Sequence, residues 1–192
     1  LGGLAVGLMT WWVARDAEGH GVPEVIESLA RHQGVLRLRT GAIKAVTAAI
    51  TIGTGGSAGV EGPIIQIGSV IGSVTGQAVR LSRKHLQVLV GCGAAAGMAG
   101  IFNAPIAAVM FVMEVLLRDF SLKTFTPVII ASVLGTAVAQ ALHGQNEALF
   151  TLPRAVEAYT FTVGELGFYA VLGLLCGLVG AAFTRSLDFS ER

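Results

Sequence analysis

The sequence predicts an all-α, polytopic membrane protein, and three observations carry that expectation. Charged residues make up 13% of the chain and hydrophobic ones 53%, whereas soluble domains carry about 25% charge. The five longest stretches without a charged residue are 45–60, 62–79, 86–113, 124–142 and 166–184. Glycine occurs 26 times, a frequency that penalises soluble helices but lets membrane helices approach closely.

Helices are expected over roughly 1–14, 23–31, 41–54, 63–79, 86–100, 105–117, 124–142 and 163–187. The first is an apolar opening. The second starts at Pro23, after Gly19-His20-Gly21-Val22, because proline suits a first helical turn whose N–H groups have no intrahelical acceptor. The next two are short and separated by glycines, below the roughly 20 residues that span a bilayer core. Within the fourth, Gly68, Gly72 and Gly76 recur every four residues and form one smooth face for helix packing. The run 86–113 divides at Asn103-Ala104-Pro105, and the last two helices are long enough to cross. Charged connectors separate them at 15–44, 80–85, 118–123 and 143–165. Arg80, Arg83 and Lys84 make one connector basic, while Glu147, Glu157 and Glu165 outweigh Arg154 in the last, which the positive-inside rule places outside.

Several function classes find no support. A net charge of +1 points to no nucleic-acid partner. Cys92 and Cys176 lie in apolar runs without paired spacing, so neither a disulfide nor a metal site is indicated. No His/Cys/Asp set has ligand or nucleophile spacing, so no enzyme and no cofactor are expected. Gly53-Thr54-Gly55-Gly56-Ser57-Ala58 matches a loose dinucleotide-binding pattern, but the acidic residue required about 20 positions on is missing: no Asp or Glu occurs from 62 to 113. The start at Leu1, inside an apolar segment and without Met, reads as a truncation.

Glu61 is the single charged residue between Lys44 and Arg80. It lies in Gly55-Gly56-Ser57-Ala58-Gly59-Val60-Glu61-Gly62-Pro63, a glycine-rich break between two apolar helices. A carboxylate at membrane depth costs about 2.5–3.5 kcal/mol even on a lenient scale, so it is expected to be paired, protonated or facing water. The following helix offers a partner: its first-turn N–H groups and its macrodipole favour negative charge. A free anion competes for the same groups. Such a swap is a gate, and protonating Glu61 would couple it to pH. The plain alternative is a capping glutamate with no transport role. Gly19-His20-Gly21-Val22-Pro23 repeats the arrangement ahead of the helix at 23–31. There His20 either donates to an anion, with a charge change near about pH 6.5, or is an exposed polar residue at a helix entrance. Glu114 either lines a water-accessible path or pairs with Arg118, four residues on.

These segments resemble the CLC family of chloride channels and chloride/proton antiporters. Gly59-Val60-Glu61-Gly62-Pro63 with Ile64-Ile65-Gln66-Ile67-Gly68 resembles the family's G-R-E-G-P…V-Q-I-G signature. Gly19-His20-Gly21-Val22-Pro23-Glu24 resembles G-S-G-I-P-E. Gly91-Cys92-Gly93-Ala94-Ala95-Ala96-Gly97 is similar to its glycine-alanine helix, and Phe102-Asn103-Ala104-Pro105-Ile106-Ala107, on to Phe111 and Glu114, to F-N-A-P-L-A-G-V-L-F-x-x-E. The resemblance implies a CLC-type fold fragment of tilted and partial helices: a first inverted repeat over 1–161 and the opening helix of the second over 162–192. Later segments, which supply a further helix N-terminus and a tyrosine to the family's anion site, are not among these residues, so the 192 residues alone are not expected to transport.

The resemblance also implies chloride as substrate and a homodimer in the lipid bilayer, paired through helices near 105–142. The expected location is the cell (inner) membrane of a prokaryote. Glu61 matches the gating glutamate and His20 the place of an anion-coordinating serine. The expected anion-binding set is His20, Gly21, Val22, Val60, Glu61, Gly62 and Ile64, with Glu114 on a proton or water path. Three departures stand out. Val60 replaces the signature arginine, His20 replaces serine, and Val115 stands where antiporters carry a second, proton-passing glutamate. Channel members are also apolar there, which favours channel-like conduction. Fluoride or chloride/proton antiport is the alternative, and a non-transporting membrane scaffold the rival of a different class.

Overall fold

A computed structural model of the chain describes residues 2–13, 21–143 and 162–190. The chain forms two compact units, Leu1–Leu149 and Phe150–Arg192. The first holds α1 (Gly2–Val13), α2 (Val22–Arg31), α3 (Leu38–Gly53), α4 (Glu61–Ala78), α5 (Arg83–Phe102), α6 (Pro105–Phe111) and α7 (Leu122–His143). The second holds a 3-10 turn (Val163–Glu165) that leads into α8 (Leu166–Ser190). Among the described residues there is no strand. Among the described residues three helical spans are long and apolar enough to cross a membrane: Arg83–Phe102, Leu122–Leu142 and Val163–Ser190.

The first unit is built around α4, α5 and α7. The glycine face of α4 lies against α5. A methyl group on Gly68 would collide with the Gly93 carbonyl, one on Gly93 with the Gly68 carbonyl, and one on Gly72 with the Leu89 carbonyl. Backbone thus meets backbone, the close approach that small residues allow. Ile65, Val70, Val90, Ala94, Val112, Met113 and Val128 fill the remaining core. Outer faces are apolar: Ile106 is 80% exposed and Leu122 is 79% exposed. That distribution suits a lipid surround rather than water.

Buried hydroxyls join helices to backbone. Ser73 Oγ donates to Gly34 O (2.7 Å) and accepts from Leu36 N–H (2.8 Å), while Gln77 Nε2 donates to Leu36 O (2.9 Å). These bonds pin the α2–α3 connector to α4. Ser132 Oγ donates to Pro105 O (2.8 Å), tying α7 to the start of α6. Asn103 ends α5 in the left-handed region, φ 51°, a conformation asparagine tolerates well. Pro105 then opens α6.

Two sequence expectations need correction. α4 begins at Glu61, not at Pro63, so Glu61 is part of the first turn instead of standing before it; Pro63 in third position removes no helical bond. The segment expected as one helix over 105–117 changes winding, with a π-helical stretch over Val112–Leu117. Arg118 follows with φ 51° and so leaves the helix. Glu114 and Arg118 therefore do not share a helical face, and the only ion pair between described side chains is Arg31 Nη1 to Glu27 Oε1 at 2.9 Å.

Candidate functional site

The N-termini of α2 and α4 meet. Gly21 carries φ 99°, open to glycine and little else. Its Cα packs so closely on the first turn of α4 that a Cβ would lie 2.5 Å from Gly62 O. Each helix starts with a proline in its first turn, so its free donors are few. In α4 the first intrahelical bond is Ile64 N–H to Val60 O (3.1 Å), which leaves the N–H groups of Glu61 and Gly62 without an intrahelical acceptor. In α2 the first is Val25 N–H to Gly21 O (3.2 Å), which leaves those of Val22 and Glu24.

Beside this junction a cleft of about 570 Å³ opens among α1, α2, α3 and the start of α4. Val22, Glu61 and Gly62 line it together with Thr10, Lys44 and Thr47. Lys44 and Glu61 are the charged ones among the described residues that line it. Lys44 is 5% exposed, and Glu24 lies within electrostatic range of it. The hydroxyls of Thr10 and Thr47 are turned back on their own helices, to Val6 O (3.0 Å) and Ile43 O (2.9 Å). Glu61 is exposed, and its carboxylate folds back over Gly59, where any Cβ would collide with Oε2.

The expected residues thus separate. Val22, Glu61 and Gly62 share one cleft. Gly21 abuts it, but its N–H already donates to Glu24 Oε2 (2.8 Å), a local cap. The Ile64 N–H is committed to Val60 O. Val60 caps α4, outside the cleft lining, and Glu114 is exposed on the π-helical stretch. His20 lies outside the described residues, as does most of the acidic connector at 143–165. Lys44 is the residue that sequence reasoning missed. It falls both in the expected helix over 41–54 and at the end of the charged connector 15–44; the structure places it within α3 and buries it.

A family model described as "Voltage gated chloride channel" (Voltage_CLC) matches residues 2–192. The chain belongs to this family. It is 31% identical over 199 residues to the voltage-gated ClC-type chloride channel ClcB of Yersinia pseudotuberculosis, covering 100% of this chain and 46% of that protein. Among solved structures it is similar to a slow cyanobacterial Cl⁻/H⁺ antiporter, with a TM-score of 0.78, 31% identity, and coverage of 96% of this chain and 43% of that one. It is also similar to a CLC-type fluoride/proton antiporter, with a TM-score of 0.75, 30% identity, and coverage of 94% and 45%. The chain spans less than half the length of these CLC relatives. Their descriptions include both channel and antiporter, and both chloride and fluoride.

Proposed function

We propose that this CLC chain carries the gate of a transporter for chloride or a similar small anion, with Glu61 as the gating carboxylate. The supporting observation is that Glu61 and the buried Lys44 line one cleft where two helix N-termini meet. The N–H groups of Glu61, Gly62 and Val22 offer donors there, and helix dipoles add partial positive charge. The Glu61 carboxylate and a mobile anion therefore exclude each other, and protonation of Glu61 hands the site to the anion.

Passive, channel-like conduction is the first reading, because Val115 provides no second acid beside Glu114. Coupled chloride/proton or fluoride/proton antiport is the second, favoured by the two structural relatives described as antiporters. The working form is a homodimer paired through α6 and α7 in the lipid bilayer of a prokaryotic inner membrane. Apolar outer faces at Ile106, Ile130 and Val133 support that pairing.

The test is anion flux with simultaneous proton recording, in liposomes that hold the full-length protein. Wild-type chloride flux is expected to depend on pH, and Glu61→Gln to conduct without that dependence. Proton movement driven uphill by the chloride gradient would decide for antiport. Absence of both chloride and fluoride flux would sink the transport reading, and so would a Glu61→Ala protein that loses stability with no change in gating, the mark of a scaffold.

A further inference from the structure

Gln66 is completely buried in α4, and neither its Nε2 nor its Oε1 has a hydrogen-bond partner in the protein. Buried polar groups are nearly always satisfied, and leaving one bare costs about 1–3 kcal/mol. Gln66 also belongs to the residues around a second cavity of about 580 Å³, distinct from the Glu61 cleft, with Glu24, Glu27, His32, Arg37 and Thr40. A cavity of that size with polar walls holds water. On its other side Gln66 reaches the helix junction: a Cβ at Gly21 would lie 3.2 Å from Gln66 Oε1. The side chain therefore spans the thin wall between the second cavity and the turn that positions the α2 N-terminus.

The charges in this cavity do not repel an anion as their number suggests. Glu24 accepts from Gly21 N–H and faces Lys44, while Glu27 is paired with Arg31. Arg37 belongs to the same wall. Rotating the carboxamide by a half turn exchanges its oxygen and nitrogen within the same envelope. Either face of the wall can then receive an N–H donor.

We propose that Gln66 is a specificity-determining residue of the anion path: a buried amide that hands a small anion between the α2 N-terminus and a water-filled second cavity. The proposal rests on the anion-transport reading. It identifies the second cavity as an aqueous mouth of the same path and assigns Gln66 a direct anion contact.

Two measurements test it on the full-length protein in detergent and in liposomes. Chloride binding by calorimetry is compared among wild type, Gln66→Met and Gln66→Asn, each with its melting temperature. Gln66→Met keeps length and loses the amide; Gln66→Asn keeps the amide at shorter reach. An unchanged melting temperature with chloride binding about tenfold weaker in Gln66→Met, and a smaller loss in Gln66→Asn, is expected. In a Cys176→Ser background, Thr40→Cys is expected to react with an anionic, membrane-impermeant methanethiosulfonate, and Ser132→Cys, buried between helices, is not. Unaltered chloride affinity in Gln66→Met, or an inert Thr40→Cys, overturns the proposal, as does loss of affinity only in step with melting temperature. Wild-type protein that binds no anion removes the transport reading itself; binding that ignores Gln66 removes this proposal alone.

Discussion

Gly21 and Gly62 touch through their backbones: the Cα of one rests against the carbonyl of the other, leaving no room for a side chain. Gly21→Ala therefore meets two obstacles, a φ of 99° and a Cβ 2.5 Å from the Gly62 oxygen. Backbone strain of this kind costs about 1–3 kcal/mol. The variant is expected to melt lower and to lose most anion flux, because the two helix N-termini can no longer meet. Wild-type flux from folded Gly21→Ala protein would count against the junction as the site.

Lys44 gives a second test. Lys44→Met keeps the aliphatic stem and removes the ammonium, so the packing of α3 is expected to survive. Chloride affinity should fall at least about tenfold, equivalent to roughly 1.4 kcal/mol. Lys44→Arg should retain more of it. Calorimetry with matched thermal unfolding separates this effect from misfolding.

Gly93 and Gly68 sit back to back across the α4–α5 contact. Gly93→Ala places a methyl group against a carbonyl that cannot swing aside, and overpacking of this type costs about 1–3 kcal/mol. Lower thermal stability in detergent is expected, larger than for Gly173→Ala in α8, where a Cβ has open space.

Asp119 caps the start of α7. Its carboxylate accepts from Thr124 Oγ1 (2.7 Å), Ser121 N–H (2.9 Å) and Ser121 Oγ (2.9 Å). The Thr124 hydroxyl, followed by the Ser121 N–H and hydroxyl, holds the Asp119 carboxyl below the usual carboxylate range. A depressed folded-state pKa means that the cap stabilises above the unfolded value, about pH 4. The benefit fades as pH falls through the lower folded value. Wild type should therefore melt above Asp119→Ala at pH 6, with the gap closing below about pH 4; a gap that stays constant would show that the charge contributes nothing.

Much of this architecture is legible in the residues. Runs without charge mark the helices, and Pro23, Pro63 and Pro105 mark the first turns, because proline there displaces no hydrogen bond. The regular Gly68, Gly72 and Gly76 spacing anticipates the α4–α5 contact. Glu61 stands out because a lone acid among apolar residues demands an explanation. Lys44 escaped because a cation near other cations reads as connector, and only packing against α1 and α4 reveals its burial. The winding change at Val112 has no local signature in the residues. The engagement of Gly21 by Glu24 depends on how one side chain folds back.

The α4–α5 contact has a mechanical consequence. Side chains that interdigitate can change rotamer and let one helix slip past another. Glycine backbones laid on carbonyls have nothing to rearrange, so α4 is held in one register. Helix α4 is therefore an anvil, and on the proposed function the working part of the gate would be the glutamate at its tip. Opening, on that reading, would need only rotation about the few bonds of Glu61, a motion of the picosecond-to-nanosecond class, while the scaffold around it stays still.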